Sequence, residues 1–316
     1  MNKKFLIACQ DGNINIVKQL INSIDPFIQN NYAIKYAVEN GHKDLVELLL
    51  GNPRIDPSAN YTYAIKYAAS NGHPEIVEIL LKDPHVNPSD KDNWAIRFAT
   101  RYGHLDVVKL LLKDPRVDPS TQDNEAIREA AENGHKDVVE LLLQDPRVDP
   151  SAQNNEAIRF AARNGHKDVV ELLVQDPRVD PSDENNYTIR FAAQNDHLDV
   201  IKLLLGDARI DLSAKNNEPI RYSAYNGHRD VVELLLQHPR VDPTDLENCA
   251  IRWAASKGHK DVVELLLGDS RVDPSAENNY AIILAARYGH QDVVELLEEH
   301  GYKIDNIHYN KMAKLN

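Results

Sequence analysis

Residues 155–185 read Asn155-Glu156-Ala157-Ile158-Arg159-Phe160-Ala161-Ala162-Arg163-Asn164-Gly165-His166, continue through Val169-Val170-Glu171-Leu172-Leu173, and close on Asp176-Pro177-Arg178-Val179-Asp180-Pro181. Nearly all of the chain is copies of this stretch. A Gly-His pair stands at Gly41, Gly72, Gly103, Gly134, Gly165, Gly227, Gly258 and Gly289, each a multiple of 31 residues from the next, and Asp196-His197 fills the one gap. Gly12-Asn13 is a worn tenth copy, 29 residues before Gly41. A fixed period of about 20 to 50 residues marks a stacked repeat protein, in which each unit buries its apolar face against its neighbours.

The 316 residues carry a formal net charge of −13 and a sequence pI near 5.4. Proteins that neutralise phosphates usually carry a net positive field, so this balance argues against general binding to nucleic acid or anionic membranes. Cys9 and Cys249 stand at opposite ends of the array and cannot bridge within one chain, which points to a reducing, cytoplasmic setting. The apolar run after Met1-Asn2-Lys3-Lys4 is too short for a signal peptide, and no later run is long enough to span a membrane.

Within one period the pattern predicts two short helices and a finger. Asn155 and its equivalents Asn31, Asn93, Asn124, Asn186, Asn217, Asn248 and Asn279 precede an apolar helical pattern, with Thr62 as the exception. Asn and Thr both cap helix N-termini by accepting from a backbone N–H, so this column is expected to cap the first helix. Ile158, Ala161 and Ala162 share one face of that helix, and Gly165 stops it. The second helix carries Asp168 in its first turn and is expected to bury Val169, Val170, Leu172 and Leu173. The two prolines of Asp176-Pro177-Arg178-Val179-Asp180-Pro181 then force an extended loop or hairpin finger.

The run Ala-Ile-Arg-Phe-Ala-Ala-x-x-Gly-His-x-Asp-Val-Val-x-Leu-Leu-Leu resembles the ankyrin repeat, most plainly at Glu218-Pro219-Ile220-Arg221. The resemblance covers about residues 3 to 305 and implies an all-α ankyrin repeat solenoid of about ten helix-turn-helix repeats with short finger loops. The array is placed at 1–302, with capping repeats at both ends, and a C-terminal tail at 303–316. Two departures stand out: the unit has 31 residues, its shortening in the finger, and Arg or Lys replaces the family's helix-start His. The Asp-Pro-Arg-Val-Asp-Pro-Ser finger is similar to ankyrin proteins of amoebae and of the giant DNA viruses that infect them, and it implies a tighter loop than the family's β-hairpin.

No residues converge on a catalytic or metal site. His42, His73, His104 and their equivalents are spread one per repeat along a line, whereas metal ligands converge on a point; the resemblance implies a structural hydrogen bond for them. Asp137 with Glu140 recurs as a pair in most units and suits the helix dipole. The reading is therefore a non-catalytic protein with no cofactor.

The distinctive chemistry lies on the first helix opposite its core face, expected to be the concave wall. One column is cationic: Lys35, Lys66, Arg97, Arg128, Arg159, Arg190, Arg221 and Arg252. The next is mostly aromatic, as at Tyr36, Tyr67, Phe98, Phe160, Phe191, Tyr222 and Trp253, and a second basic row runs along the finger base from Arg54 and Arg116 to Arg271. The bland alternative is that the Arg column pairs with Asp149, Asp180 and their equivalents, and that the aromatics fill gaps between helices. Glu125, Glu129 and Glu132 around Arg128 form an acidic interruption.

Aromatic and Arg side chains dominate interface energies, which points to a protein-protein interaction scaffold whose concave face binds a partner protein or acidic peptide. The candidate contacts are Trp94, Arg97, Phe98, Arg101, Phe160, Arg163, Phe191, Tyr222, Tyr225 and Trp253, with positions that vary between repeats, such as Ile28 on a finger, supplying specificity. The scaffold is expected to be a monomer; its partner is a host protein if the source is a giant virus or amoebal bacterium. Nucleic-acid binding through the basic and aromatic ladder, and a purely structural spacer, are the alternatives.

Overall fold

A computed structural model of the chain describes residues 2–24, 32–52 and 61–304. Among the described residues the secondary structure is 20 helices and no strand, and the protein is an all-α repeat solenoid. The chain forms two compact units, Met1–Ala157 and Ile158–Asn316, each a run of helix pairs. The expectations for Ile28, Asn31, Arg54 and the side chain of Thr62, and for the tail from residue 305 onward, fall outside the described residues.

The fourth repeat shows how one unit is built. Its first helix lies within Asp90–Arg101 and buries Ala95, Ile96 and Ala99; its second, Leu105–Lys113, buries Val107, Val108 and Leu111. Small alanines on the first helix let neighbouring helices approach closely, and the valines and leucines close the other side. In the 155–185 stretch, Ile158, Ala161, Ala162, Val169, Val170 and Leu173 are buried as expected, whereas Leu172 is half-buried. Leu172 sits one residue, about 100°, round the helix from Leu173, at the edge of the apolar stripe.

Most first helices end at a glycine that is required twice, as Gly103 shows. Gly103 adopts φ +75°, its N–H donates to the Thr100 carbonyl at 3.2 Å, and the His104 N–H donates to the Ala99 carbonyl at 2.9 Å. These two bonds satisfy carbonyls that the helix end would otherwise leave open. A Cβ on Gly103 would stand 2.5 Å from Nδ1 of His135 in the following repeat, so the ring also needs the space. That ring is held by its other nitrogen: Nε2 of His135 donates to the Arg101 carbonyl at 2.9 Å. The same bond joins His42 to Gln10, His104 to Ser70, His197 to Arg163, His228 to Gln194 and His259 to Tyr225, at 2.8–3.0 Å. A carbonyl oxygen only accepts, so Nε2 carries the proton in this row. Asn13, in the worn first copy, instead accepts from the Ile16 N–H at 3.2 Å and caps its own helix.

The Asn column does something other than the expected capping. Lys91, Asp92 and Asn93 all have positive φ, 50°, 57° and 58°, and so form a left-handed turn ahead of the first helix. The same three-residue turn recurs at 122–124, 153–155, 184–186, 215–217, 246–248 and 277–279. The conformation costs roughly 1–2 kcal/mol per L-residue, least for Asn. From this backbone the Asn93 side chain, itself buried, points at the next finger, where Oδ1 accepts from the Asp118 N–H at 2.8 Å. Asn124, Asn186, Asn217 and Asn248 do the same for Asp149, Asp211, Asp242 and Asp273 at 2.7–2.8 Å. The column thus joins repeats, because left-handed backbone aims the side chain away from its own helix.

The fingers are pairs of tight turns. The Val117 N–H donates to the Asp114 carbonyl at 3.0 Å, and Asp118 Oδ1 accepts from both the N–H and the hydroxyl of Ser120, at 2.9 and 2.7 Å. Val117, between the prolines, is buried and anchors the finger to the core. In the final repeat Ile283 and Leu284 replace the cation and the aromatic and are buried, while Glu298 and Glu299 face outward.

Two substitutions test this account by thermal and urea denaturation. Asn124→Ala removes the acceptor for a part-buried N–H and places a poorer residue in left-handed backbone, so a loss of about 2 kcal/mol is expected. Asp196 holds φ 64° where other repeats have glycine; Asp196→Gly is expected to raise stability by about 0.5–1 kcal/mol.

Candidate partner-binding surface on the first helices

Two rows of cations could offer charge to a partner, and the structure binds most of both into the scaffold. In the cationic column, the guanidinium reaches back over the left-handed turn that precedes its own helix. Arg221 donates to the Asn216 and Lys215 carbonyls at 2.7 and 2.8 Å, Arg128 to those of Asp123 and Gln122 at 3.0 Å, and Arg252 to that of Leu246 at 2.8 Å. A left-handed turn leaves these carbonyls without helical partners, and the cation supplies one.

The same cations also meet the residue 28 positions on, at the start of the next first helix. Where that residue is an acid an ion pair forms: Arg97 with Glu125 at 2.5 Å, Arg128 with Glu156, and Arg190 with Glu218 at 2.9 Å. Where it is aromatic the charge lies over the ring: Lys66 is 4.0 Å from the Trp94 centroid, Arg159 4.9 Å from Tyr187, and Arg252 5.9 Å from Tyr280. Acid and aromatic ring are interchangeable here because each presents negative potential to a cation. After Arg221 the position holds Cys249, whose thiol is pushed up by burial and drawn back by Arg221 and Arg252. Arg97, Arg128 and Arg190 do not make the expected pairing with Asp149, Asp180 and their equivalents; their acids are glutamates of the next helix.

The acidic interruption of the fifth repeat is resolved by the same rule. Glu125 answers Arg97, and Glu129 lies 3.5 Å from Arg101 Nε. Burial raises the Glu129 carboxyl above its ordinary range, against Arg101 and with Glu132 and Glu125 adding to the rise. The finger-base row is likewise engaged. Arg116 forms a two-pronged pair with Asp114 at 2.9 and 2.6 Å and donates to the Val86 and Leu81 carbonyls of the preceding repeat at 2.9 and 3.2 Å. Arg209 and Arg271 repeat the arrangement, and Arg147 does so with the Val117 carbonyl alone.

The aromatic candidates gather in places. Trp94 packs edge-on against Phe98 at 6.0 Å, and Phe98 lies 6.2 Å from Tyr102. Arg97 is ion-paired beside them, and the Arg101 side chain is exposed. Trp253 meets Tyr222 at 5.4 Å and Tyr225 at 5.5 Å, both edge-on. Phe191 stacks on Tyr187 at 3.8 Å, Phe160 lies 6.0 Å from the Arg159 guanidinium, and Arg163 is exposed while its carbonyl accepts from His197 and Asn195.

Two open clefts accompany these clusters. One, of about 750 Å³, is walled by Tyr67, Phe98 and Tyr102 with Lys66 and Glu39 at its margins. The other, of about 400 Å³, lies among Tyr225, Trp253, Lys257, Tyr280 and Tyr288. Tyr102 belongs to the aromatic and Arg cluster that sets the fourth repeat apart in the sequence, whereas Lys257 and Tyr288 were not among the sequence candidates, although a signal was present for all three. They occupy the position before Gly-His where Asn40, Asn71, Asn133, Asn164 and Asn226 stand elsewhere. Tyr102 and Tyr288 are 51% and 58% exposed, so neither ring is needed for packing.

A family model described as ankyrin repeats (3 copies) matches residues 5–92, 56–123, 96–185, 127–216, 158–245, 189–278 and 220–308. No curated protein matches the chain. Among the described residues no helix is long and apolar enough to cross a membrane.

The finger pairs carry a pH dependence. The hydrogen-bonded guanidinium two residues on holds Asp114, Asp145, Asp176, Asp207 and Asp269 below the ordinary carboxylate range. A depressed folded-state value means stability that is present above the unfolded value, near pH 4, and lost as pH falls through the folded value. The thermal midpoint should therefore hold steady down to about pH 4 and fall steeply below it; a midpoint that rises on acidification would contradict the pairing.

Proposed function

Since the chain belongs to the ankyrin repeat family, we propose that it is a non-catalytic scaffold that binds a partner protein through the concave face of its first helices. Ankyrin repeats are generally protein-protein interaction modules, and proteins built from them are typically not enzymes. The observation that carries the reading is the pair of aromatic clusters beside open clefts, each rimmed by a tyrosine more than half exposed. Exposed rings cost solubility and contribute nothing to a repeat's own packing, whereas buried at an interface they supply large contact area at low entropy.

The proposed contacts are Trp94, Phe98 and Arg101 with Tyr102 in one unit, and Tyr222, Tyr225 and Trp253 with Tyr288 in the other. Phe160, Arg163 and Phe191 extend the same columns, and Arg97 takes part through its ion pair by fixing the rings beside it. The engaged guanidinium groups of Arg97, Arg128 and Arg190 weigh against a phosphate backbone as ligand, since each would have to leave a carboxylate first.

Affinity capture tests the reading, with wild type beside a variant carrying Ala at Trp94, Phe98, Phe160 and Trp253. A second variant, Tyr102→Ala with Tyr288→Ala, touches only exposed rings and should leave helical content and melting unchanged. Both variants are expected to lose captured partner proteins that the wild type retains; recovery of every partner by folded variants would sink the proposal.

A further inference from the structure

In the N-terminal unit two lysines converge on one indole. Lys66 Nζ lies 4.0 Å from the Trp94 ring centroid, 4.6 Å from that of Phe98 and 5.5 Å from that of Tyr67. Lys91 Nζ lies 5.2 Å from Trp94 and 5.8 Å from Tyr63. The acids nearby are engaged elsewhere: Glu39 with Lys35 at 3.7 Å, Glu125 with Arg97, and Asp92 with the Gln122 amide at 3.0 Å. Among the described residues no ion pair reaches either ammonium. Burial lowers the Lys66 pKa, and the charge of Lys91 lowers it further, so like charges press on one half-buried site. In a chain of net charge −13, this is a local reversal of sign.

The 750 Å³ cleft opens beside these lysines, with Lys66 at one margin and the faces of Tyr67, Phe98 and Tyr102 as walls. An acid competing for Arg97 or Arg128 must displace an existing carboxylate. At Lys66 an arriving carboxylate gains a charge-assisted bond and relieves repulsion, and among the described residues it displaces no carboxylate, while the ammonium can keep its place over the Trp94 ring. His104, at the floor, keeps Nε2 on the Ser70 carbonyl at 2.9 Å, and Glu39 stays with Lys35, so neither cancels the site.

We propose that this cleft docks a partner segment bearing a carboxylate beside an aromatic or aliphatic side chain, the carboxylate at Lys66 and Lys91 and the apolar group against Phe98 and Tyr102. The proposal rests on the scaffold reading and names the class of partner for one of its clefts.

The chain holds only two tryptophans, so Trp253→Phe leaves Trp94, whose ring centroid lies 4.0 Å from the Lys66 ammonium at the cleft margin, as the sole indole reporter. Its emission would be followed during titration with short synthetic peptides of alternating Glu and Phe, the matching Gln-Phe and Lys-Phe peptides, and a thymidine oligonucleotide. The Glu-Phe peptide is expected to bind at least about tenfold more tightly than the Gln-Phe peptide, with the Lys-Phe peptide weaker still. That advantage should vanish in Lys66→Met, persist in Lys66→Arg, and shrink in Lys91→Ala, an exposed position where folding is not at risk. Equal affinity for the Glu and Gln peptides, no binding at all, or tighter binding of the oligonucleotide would overturn the proposal. If the peptides fail while the aromatic variants still lose their captured partners, the acidic cleft falls and the scaffold reading stands.

Discussion

Seven repeats among the described residues depend on a stretch of backbone that L-residues avoid. Three consecutive residues turn left-handed ahead of the first helix, as at 91–93 and 122–124, and the turn persists only because neighbours hold it. Its carbonyls take hydrogen bonds from an Arg one to two helical turns further along, and its last residue, Asn, hands its side-chain oxygen to the following finger. Local strain is thereby met by bonds that only a stacked neighbour completes. A repeat that fails to stack leaves a strained turn as well as an apolar face exposed.

The cationic column is the meeting point of these demands. A guanidinium is planar and carries several donors, so one edge can serve the turn while another meets a Glu or a ring of the next helix. Lys35 and Lys66 offer a compact charge with no fork, and there the neighbours are aromatic rings and the geometry is looser. This difference leaves Lys66 with charge that no acid among the described residues answers, beside Tyr67, Phe98 and Trp94.

The architecture was legible in the sequence because it rests on periodicity. The 31-residue spacing of Gly-His, the Ile-Ala-Ala face and the Val-Leu face each follow from side-chain types that have one plausible place. The role of the Asn column was not legible, because Asn both caps helices and tolerates left-handed backbone, and only the sign of φ at 93, 124 and 186 separates the two. Charge pairing was partly hidden for a similar reason. Arg97 and Glu125 stand 28 residues apart, and a single period read alone sets Glu125, Glu129 and Arg128 side by side as if they formed one patch. Tyr288 was visible as a departure from an Asn column, but Ile283 and Leu284 interrupt the cationic and aromatic columns in its repeat and leave it without the neighbours that mark Tyr102.

Four of the spacings at which bonds join repeats are 25, 28, 30 and 34 residues, as in Asn93 to Asp118, Arg97 to Glu125, Val86 to Arg116 and Arg101 to His135. Among the described residues none of these spans more than one neighbouring unit. A gene encoding such a chain can therefore gain or lose one whole period and still present each donor with an acceptor of the same kind, whereas a change of a few codons inside a unit breaks all four spacings together. Length in this protein is editable in steps of one repeat, and the array can be lengthened by duplication without redesigning a single joint.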